Sequence, residues 1–333
     1  MAAASTNPLA ALARLDRQSR DHSFRLEDVD WSAGADRALP WMPDAIGPLA
    51  FLPSYAMLGA AEQRRCNQLQ ALGIAEQFVW AEGLVIRALA RALTGRVELP
   101  FELRRALWRF VEEEDKHVAM FGRLLERSEP AWYPAPQPRL FVLSPAERWL
   151  MAGVAAHPER LLMWIWLTIF IEERTLFLSR EFVRARRRAP EAIDPLHARA
   201  HALHLRDEAR HVQLDEHLLA HAYDGQPAWK RSLCALMFAQ VVRAYASPRR
   251  TALSILAVLE REFPHLRATV APRLRAELPG LRHDAGFRRR VLGREALPRT
   301  LALLAAYPEH RRTLALVDEL PCEDPQEECH GHA

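Results

Sequence analysis

Glu113-Glu114-Asp115-Lys116-His117 and, further along, His204-Leu205-Arg206-Asp207-Glu208-Ala209-Arg210-His211 are the stretches on which the reading of this 333-residue chain turns. Both contain the pattern acid-Glu-x-x-His. On an α-helix, residues three apart share one face about a turn from each other, so Glu114 with His117, and Glu208 with His211, can each grip a metal ion. One such pattern is common by chance. Two copies, each preceded by an acid and each on its own predicted helix, form the paired signature of dinuclear iron or manganese sites inside helix bundles. Those sites are completed by one Glu from each of the two other helices.

The rest of the chain suits a bundle. Glycine is scarce (13 residues) and half the residues are apolar. Alternating strand patterns are nearly absent while Ala, Leu, Arg and Glu dominate, which reads as all-α. A long helix is predicted from about Leu58 to Leu93, closed by Thr94-Gly95, and a second from near Pro100 to about Arg127. The Pro-rich segment 129–143 is an ordered crossover, and Ser144-Pro145-Ala146-Glu147 is a capping box opening a short helix. A third long helix is expected from Pro158 to about Arg188, and a fourth from Pro195 to about Tyr223. The organisation expected is an arm packed on the bundle (1–50), the bundle itself (51–224), a helical extension (225–320) and a flexible tail (321–333) holding Cys322, Cys329, His330 and His332.

The first helix offers Glu76 and Glu82. At about 100° per residue, Glu76 falls with Glu62, Arg65, Arg87 and Arg91, whereas Glu82 falls among Ala71, Ala75, Phe78, Ile86 and Leu89. An unpaired carboxylate on that apolar face is costly, so Glu82 is the expected ligand. On the third helix Glu173 lines up with Arg180, Arg184 and Arg187, a solvated face. Glu172 lies with Trp164, Thr168, Thr175, Ser179 and Phe182 and is the expected ligand. Four carboxylates would neutralise two divalent ions, and imidazoles add neutral donors suited to iron. Glu113 and Asp207, beside the ligand face, are expected to hold the imidazole N–H of the opposite motif's His. Thr168, Thr175 and Ser179 either line an active-site cavity or are small packing residues. His197 and His201 read as polar lining or surface, Asp215 as a supporting or capping residue, and Trp164, Trp166 and Phe170 as core.

His204 precedes Glu208 by one turn on the same face, so the fourth helix offers three ligands, one more His than the usual pair. With it the sequence resembles the p-aminobenzoate N-oxygenase (AurF-type) family of di-iron arylamine oxygenases, over roughly residues 71–219. The pattern maps as Glu82; Glu114 and His117; Glu172; and His204, Glu208 and His211. The resemblance implies a ferritin-like four-helix bundle with additional N- and C-terminal helices. It implies two iron ions (manganese being the alternative), O2 as co-substrate, and oxidation of an aromatic amine to the hydroxylamine or nitro level. A di-iron oxygenase acting on a C–H bond, or a ferritin-like iron-handling protein, are the alternative readings.

A net charge of +3, from 45 Lys+Arg against 42 Asp+Glu, leaves no basic field for nucleic acid. The most apolar stretch, 161–171, is too short to span a bilayer and reads as a buried helix. Four cysteines without framework spacing point to a reducing cytoplasm. The expected partners are a small-molecule substrate, an external electron donor and a second copy of the chain in a homodimer.

Overall fold

The computed structural model describes residues 8–86, 90, 99–135, 137–156 and 162–318. Among these residues all regular structure is helical, with no strand. The tail cysteines and histidines, Thr94-Gly95 and Pro158 lie outside the described residues.

Helix α1 (Pro8–Asp21) is followed by short 3-10 turns, then α2 (Ala60–Trp80), α3 (Phe101–Ser128), α4 (Pro145–Ala156), α5 (Met163–Arg188) and α6 (Pro195–Leu218). The bundle consists of α2, α3, α5 and α6: α2 packs on α3, α5 on α6, and α3 on α6. Beyond it, α7 (Ala228–Tyr245) packs on α5, and α8 (Arg249–Glu262) on α2. The sequence makes this an all-α, ferritin-like fold through one mechanism repeated four times: each bundle helix turns an apolar stripe inward. In α5 the stripe becomes a full circumference. Residues 162–170 are all buried, including Trp164, Trp166 and Phe170, because the C-terminal helices cover the side that would otherwise face water. Burying each such side chain contributes about 1.5–3 kcal/mol. No helix is long and apolar enough to cross a membrane, among the described residues.

Local chemistry sets the helix ends. Ser144 Oγ accepts from Glu147 N (3.1 Å) while Glu147 Oε2 accepts from Ser144 N (2.5 Å), the reciprocal cap that starts α4. Asp194 caps α6 by accepting from His197 N at 2.9 Å, with Pro195 in the first turn.

Two carboxylates set aside as ligands are buried all the same: Glu76, which shares a side with charged residues, and Glu173, whose face was expected to be solvated. Glu76 accepts from Tyr133 Oη (2.6 Å) and from the backbone N–H groups of Arg139, Leu140 and Phe141 at 2.6–2.8 Å. It thereby ties the Pro-rich crossover to α2. Glu173 accepts from the backbone N–H groups of Arg299 and Thr300, both at 2.7 Å. Those two residues open α11 (Pro298–Ala306), the segment between α8 and it being α9 (Ala271–Glu277) and α10 (Ala285–Leu292). A carboxylate at a helix start meets free N–H groups and the positive end of the helix dipole, so burial costs it little.

The first bundle helix also departs from regular winding. A π-helical turn, Ala81–Ile86, follows α2, and another, Leu219–Tyr223, follows α6. Glu82 sits on the first of these.

Candidate metal centre

The seven side chains Glu82, Glu114, His117, Glu172, His204, Glu208 and His211 come from α3, α5, α6 and the π-helical turn that continues α2, and all are buried. Two overlapping groups form: Glu82, His117, His204 and Glu208; and Glu114, His117, Glu208 and His211. Within each, one donor atom per residue lies within 4.8 Å of every other. Glu172 joins the second group through His211 Nδ1, 3.3 Å from its Oε2.

The imidazoles point one nitrogen inward and anchor the other. His117 Nδ1 lies 3.6 Å from Glu114 and 3.4 Å from Glu208, and its Nε2 is 3.3 Å from Asp207 Oδ2. His211 Nδ1 lies 3.1 Å from Glu114, and its Nε2 is 3.0 Å from Glu113 Oε2. His204 is reversed: Nε2 faces Glu208 at 2.9 Å and Glu82 at 3.1 Å, and Nδ1 meets Ser179 Oγ at 3.0 Å. A hydrogen bond to the outer nitrogen selects the tautomer that leaves a lone pair on the inner one.

Electrostatics describe a cluster built for positive charge. Burial pushes Glu82 up to about 7, against the pull of His204. Burial, reinforced by Glu208 and Glu114, pushes Glu172 well above the usual carboxylate range. Burial would likewise raise Glu208, but His204 and His211 hold it well below. Burial disfavours the His117 cation, yet Asp207, Glu114 and Glu208 raise it to about 10. Protons thus take the place of cations among crowded carboxylates.

Both oxygens of Glu114, Glu82 Oε2, Glu172 Oε1, Glu208 Oε1 and His117 Nδ1 are buried without a hydrogen-bond partner. Buried polar atoms are rarely left so. Here they lie close to one another, His117 Nδ1 standing 3.6 Å from Glu114 and 3.4 Å from Glu208. Carboxylate oxygens and imidazole nitrogens are the donors that first-row transition metals take. The residues fit a dinuclear metal site.

Behind the ligand atoms, Arg210 braces both anchoring carboxylates. It donates to Glu113 Oε1 at 2.7 Å and Asp207 Oδ1 at 2.5 Å, and its Nε reaches Ser19 Oγ of α1 at 3.0 Å. Ser19 in turn donates to Glu113 Oε2 at 3.3 Å. Phe24 stacks on His117, ring centroids 5.9 Å apart. Arg210, Ser19 and Phe24 were not legible as site residues. The only signal for Arg210 was its position between Glu208 and His211, where any helix surface carries an Arg.

The hydroxyl residues have definite partners. Thr168 Oγ1 donates to Trp164 O (2.9 Å), Thr175 Oγ1 to Glu172 O (2.9 Å) and Glu208 Oε2 (3.2 Å), and Ser179 meets His201 and His204. His197 and His201 are not at the surface. His197 is buried against Trp41 and meets Ser128 Oγ at 2.9 Å, and His201 stacks on Phe182 with centroids 3.6 Å apart. Burial holds both well on the neutral side, His197 at about 3.

A family model described as p-aminobenzoate N-oxygenase AurF matches residues 6–283, which takes in α1, all four bundle helices and the first helices beyond them. No curated protein matches the chain.

Proposed function

The chain belongs to the p-aminobenzoate N-oxygenase AurF family, a family of oxygenases, and from that premise we propose that it is a non-haem di-iron monooxygenase that oxidises an aromatic amine. The observation that carries the reading is the inward-facing cluster of four carboxylates and three imidazoles, with its unpartnered oxygens, inside a chain of that family. Glu82, Glu114, His117, Glu172, His204, Glu208 and His211 would hold two iron ions, which supply the redox chemistry with O2 that side chains lack.

The protein's own part is positional. Glu113 and Asp207 retain the outer imidazole protons of His211 and His117 and keep the inner nitrogens free. Arg210 offsets the charge of both carboxylates. Phe24 and α1 keep bulk water from the His117 side. His204 adds a neutral donor to the Glu82 side only, which makes the two metal positions chemically unequal. For the first oxidation the balance is R–NH2 + O2 + 2 electrons + 2 protons giving R–NHOH + H2O, so an external electron donor belongs to the reading. A cytoplasmic homodimer completes it, and the buried free thiols of Cys66 and Cys234 suit a reducing compartment.

The test is direct. Protein loaded anaerobically with Fe(II) is exposed to 18O2 with a reductant and a panel of arylamines, and products are read by mass spectrometry. The expected outcome is about two irons per chain and one labelled oxygen in an arylhydroxylamine. Iron-replete protein that labels no amine would overturn the reading.

A further inference from the structure

Among the described residues near the cluster, Asp215 is a carboxylate to which neither the ligand set nor the imidazole anchors give a task. It is completely buried, and neither Oδ1 nor Oδ2 has a hydrogen-bond partner. Leaving both oxygens of a buried carboxyl unmet costs several kcal/mol, so a sequence that keeps Asp there in place of Leu gives up stability.

Its position follows from the packing register. Across α5 and α6, Glu172 meets His211, Thr175 meets Glu208, and Ser179 meets His204. Four residues further along each helix, this antiparallel register brings Thr168 level with Asp215. Across α3 and α6, Glu114 meets His211 and His117 meets Glu208, and the same step brings Phe110 level with Asp215. Phe110 stands edge-on to the His211 ring, centroids 4.4 Å apart. By this register Asp215 falls in the layer one helical turn from His211, Glu114 and Glu172, about 5–6 Å along the helix axis, level with Phe110 and Thr168. Burial first, and then the nearby Glu114 and Glu208, raise its pKa well above the usual range despite His211.

We propose that Asp215 is the substrate-orienting carboxyl: its unmet oxygens accept the N–H of an amine whose apolar ring lies in the Phe110–Thr168 layer, aiming the nitrogen at the cluster. This rests on the oxygenase reading and names the substrate feature the site selects, a hydrogen-bond donor on an aromatic ring. A group that accepts from the substrate rejects the analogue lacking that donor, because its own oxygens then stay unpaired.

Anaerobic Fe(II)-loaded protein is titrated by calorimetry with two isosteric pairs: 4-aminobenzoate against 4-methylbenzoate, and 4-aminobenzyl alcohol against 4-methylbenzyl alcohol. Wild type is expected to bind the amine at least about tenfold tighter in one pair. Asp215→Leu should bring that ratio close to one, and Asp215→Asn, which keeps an acceptor oxygen, should retain part of it. Iron content should be unchanged in both variants. Wild type that binds neither pair, or binds the two members equally, would overturn the proposal. So would Asp215→Leu that keeps the full ratio, or iron lost from both variants. Discrimination through Asp215 without any oxygen transfer under 18O2 would leave this inference standing and sink the oxygenase reading.

Discussion

Asp207 Oδ2 lies 3.3 Å from His117 Nε2, although the two residues are 90 positions apart. The reciprocal pair, Glu113 with His211, closes at 3.0 Å. Each motif therefore supplies the carboxylate that holds the other motif's imidazole. Arg210 lies between the two carboxylates and donates to both, so the crossed pairs act as one unit.

Removing the brace should loosen both imidazoles at once. Arg210→Met is expected to weaken metal affinity by about 10–100-fold, the usual effect of losing a group that orients a ligand. Arg210→Lys, which can reach only one carboxylate well, should recover part of it. Competition titration with a chelating dye measures both.

Glu114→Ala and Glu208→Ala should abolish metal binding: Glu208 is common to both ligand groups, and Glu114 lies against both His117 and His211. In wild type, Fe(II) or Mn(II) at about 100 times Kd should add about 2.7 kcal/mol of stability. Both variants should lose that increment. Thermal melts with and without metal give the answer; an undiminished shift in either variant would contradict the ligand assignment.

His204 lies on the Glu82 side alone. His204→Ala is expected to lower occupancy from two metals towards about one per chain, the Glu114–His211 side staying filled. Metal analysis after gel filtration reads the outcome. Full occupancy with unchanged amine oxidation would remove His204 from the ligand set.

Acid should destabilise the fold through histidines away from the cluster. Burial lowers His197 to about 3 and His310 to about 4. Unfolded, each takes up a proton near pH 6.5; folded, it stays neutral far below that. The unfolded chain thus binds more protons between about pH 6.5 and the folded values, and stability falls as pH falls through that window. At pH 5 each contributes a loss of about 2 kcal/mol relative to pH 8. Denaturant midpoints across pH should show a shallower acid limb in His197→Gln and His310→Gln.

Glu76 holds the crossover by four hydrogen bonds. Glu76→Ala strands three backbone N–H groups and the Tyr133 hydroxyl, and should cost about 3 kcal/mol. Proteolysis within residues 129–143 should quicken before any loss of bound metal. Metal lost before the segment becomes cleavable would show that Glu76 serves the cluster instead.

What the sequence determined by itself are properties that a single helix carries. Residues three and four apart share a face, so the repeated Glu-x-x-His, the His204 one turn earlier and the inward sides of Glu82 and Glu172 were all legible, as was the all-α bundle that such stripes require. Tertiary structure decided whatever depends on partners distant in the chain. Glu76 and Glu173 fall beside arginines, yet both are buried, because the N–H groups they accept come from residues 139–141 and 299–300. A helical wheel records which neighbours are apolar; it does not record free backbone donors arriving from elsewhere. The same holds for Ser19 and Phe24, brought to the histidines by α1, and for the π-turn at Glu82. Asp215 is the clearest case: its place on the stripe could be read from the chain, but its complete burial with two unmet oxygens belongs to the folded bundle.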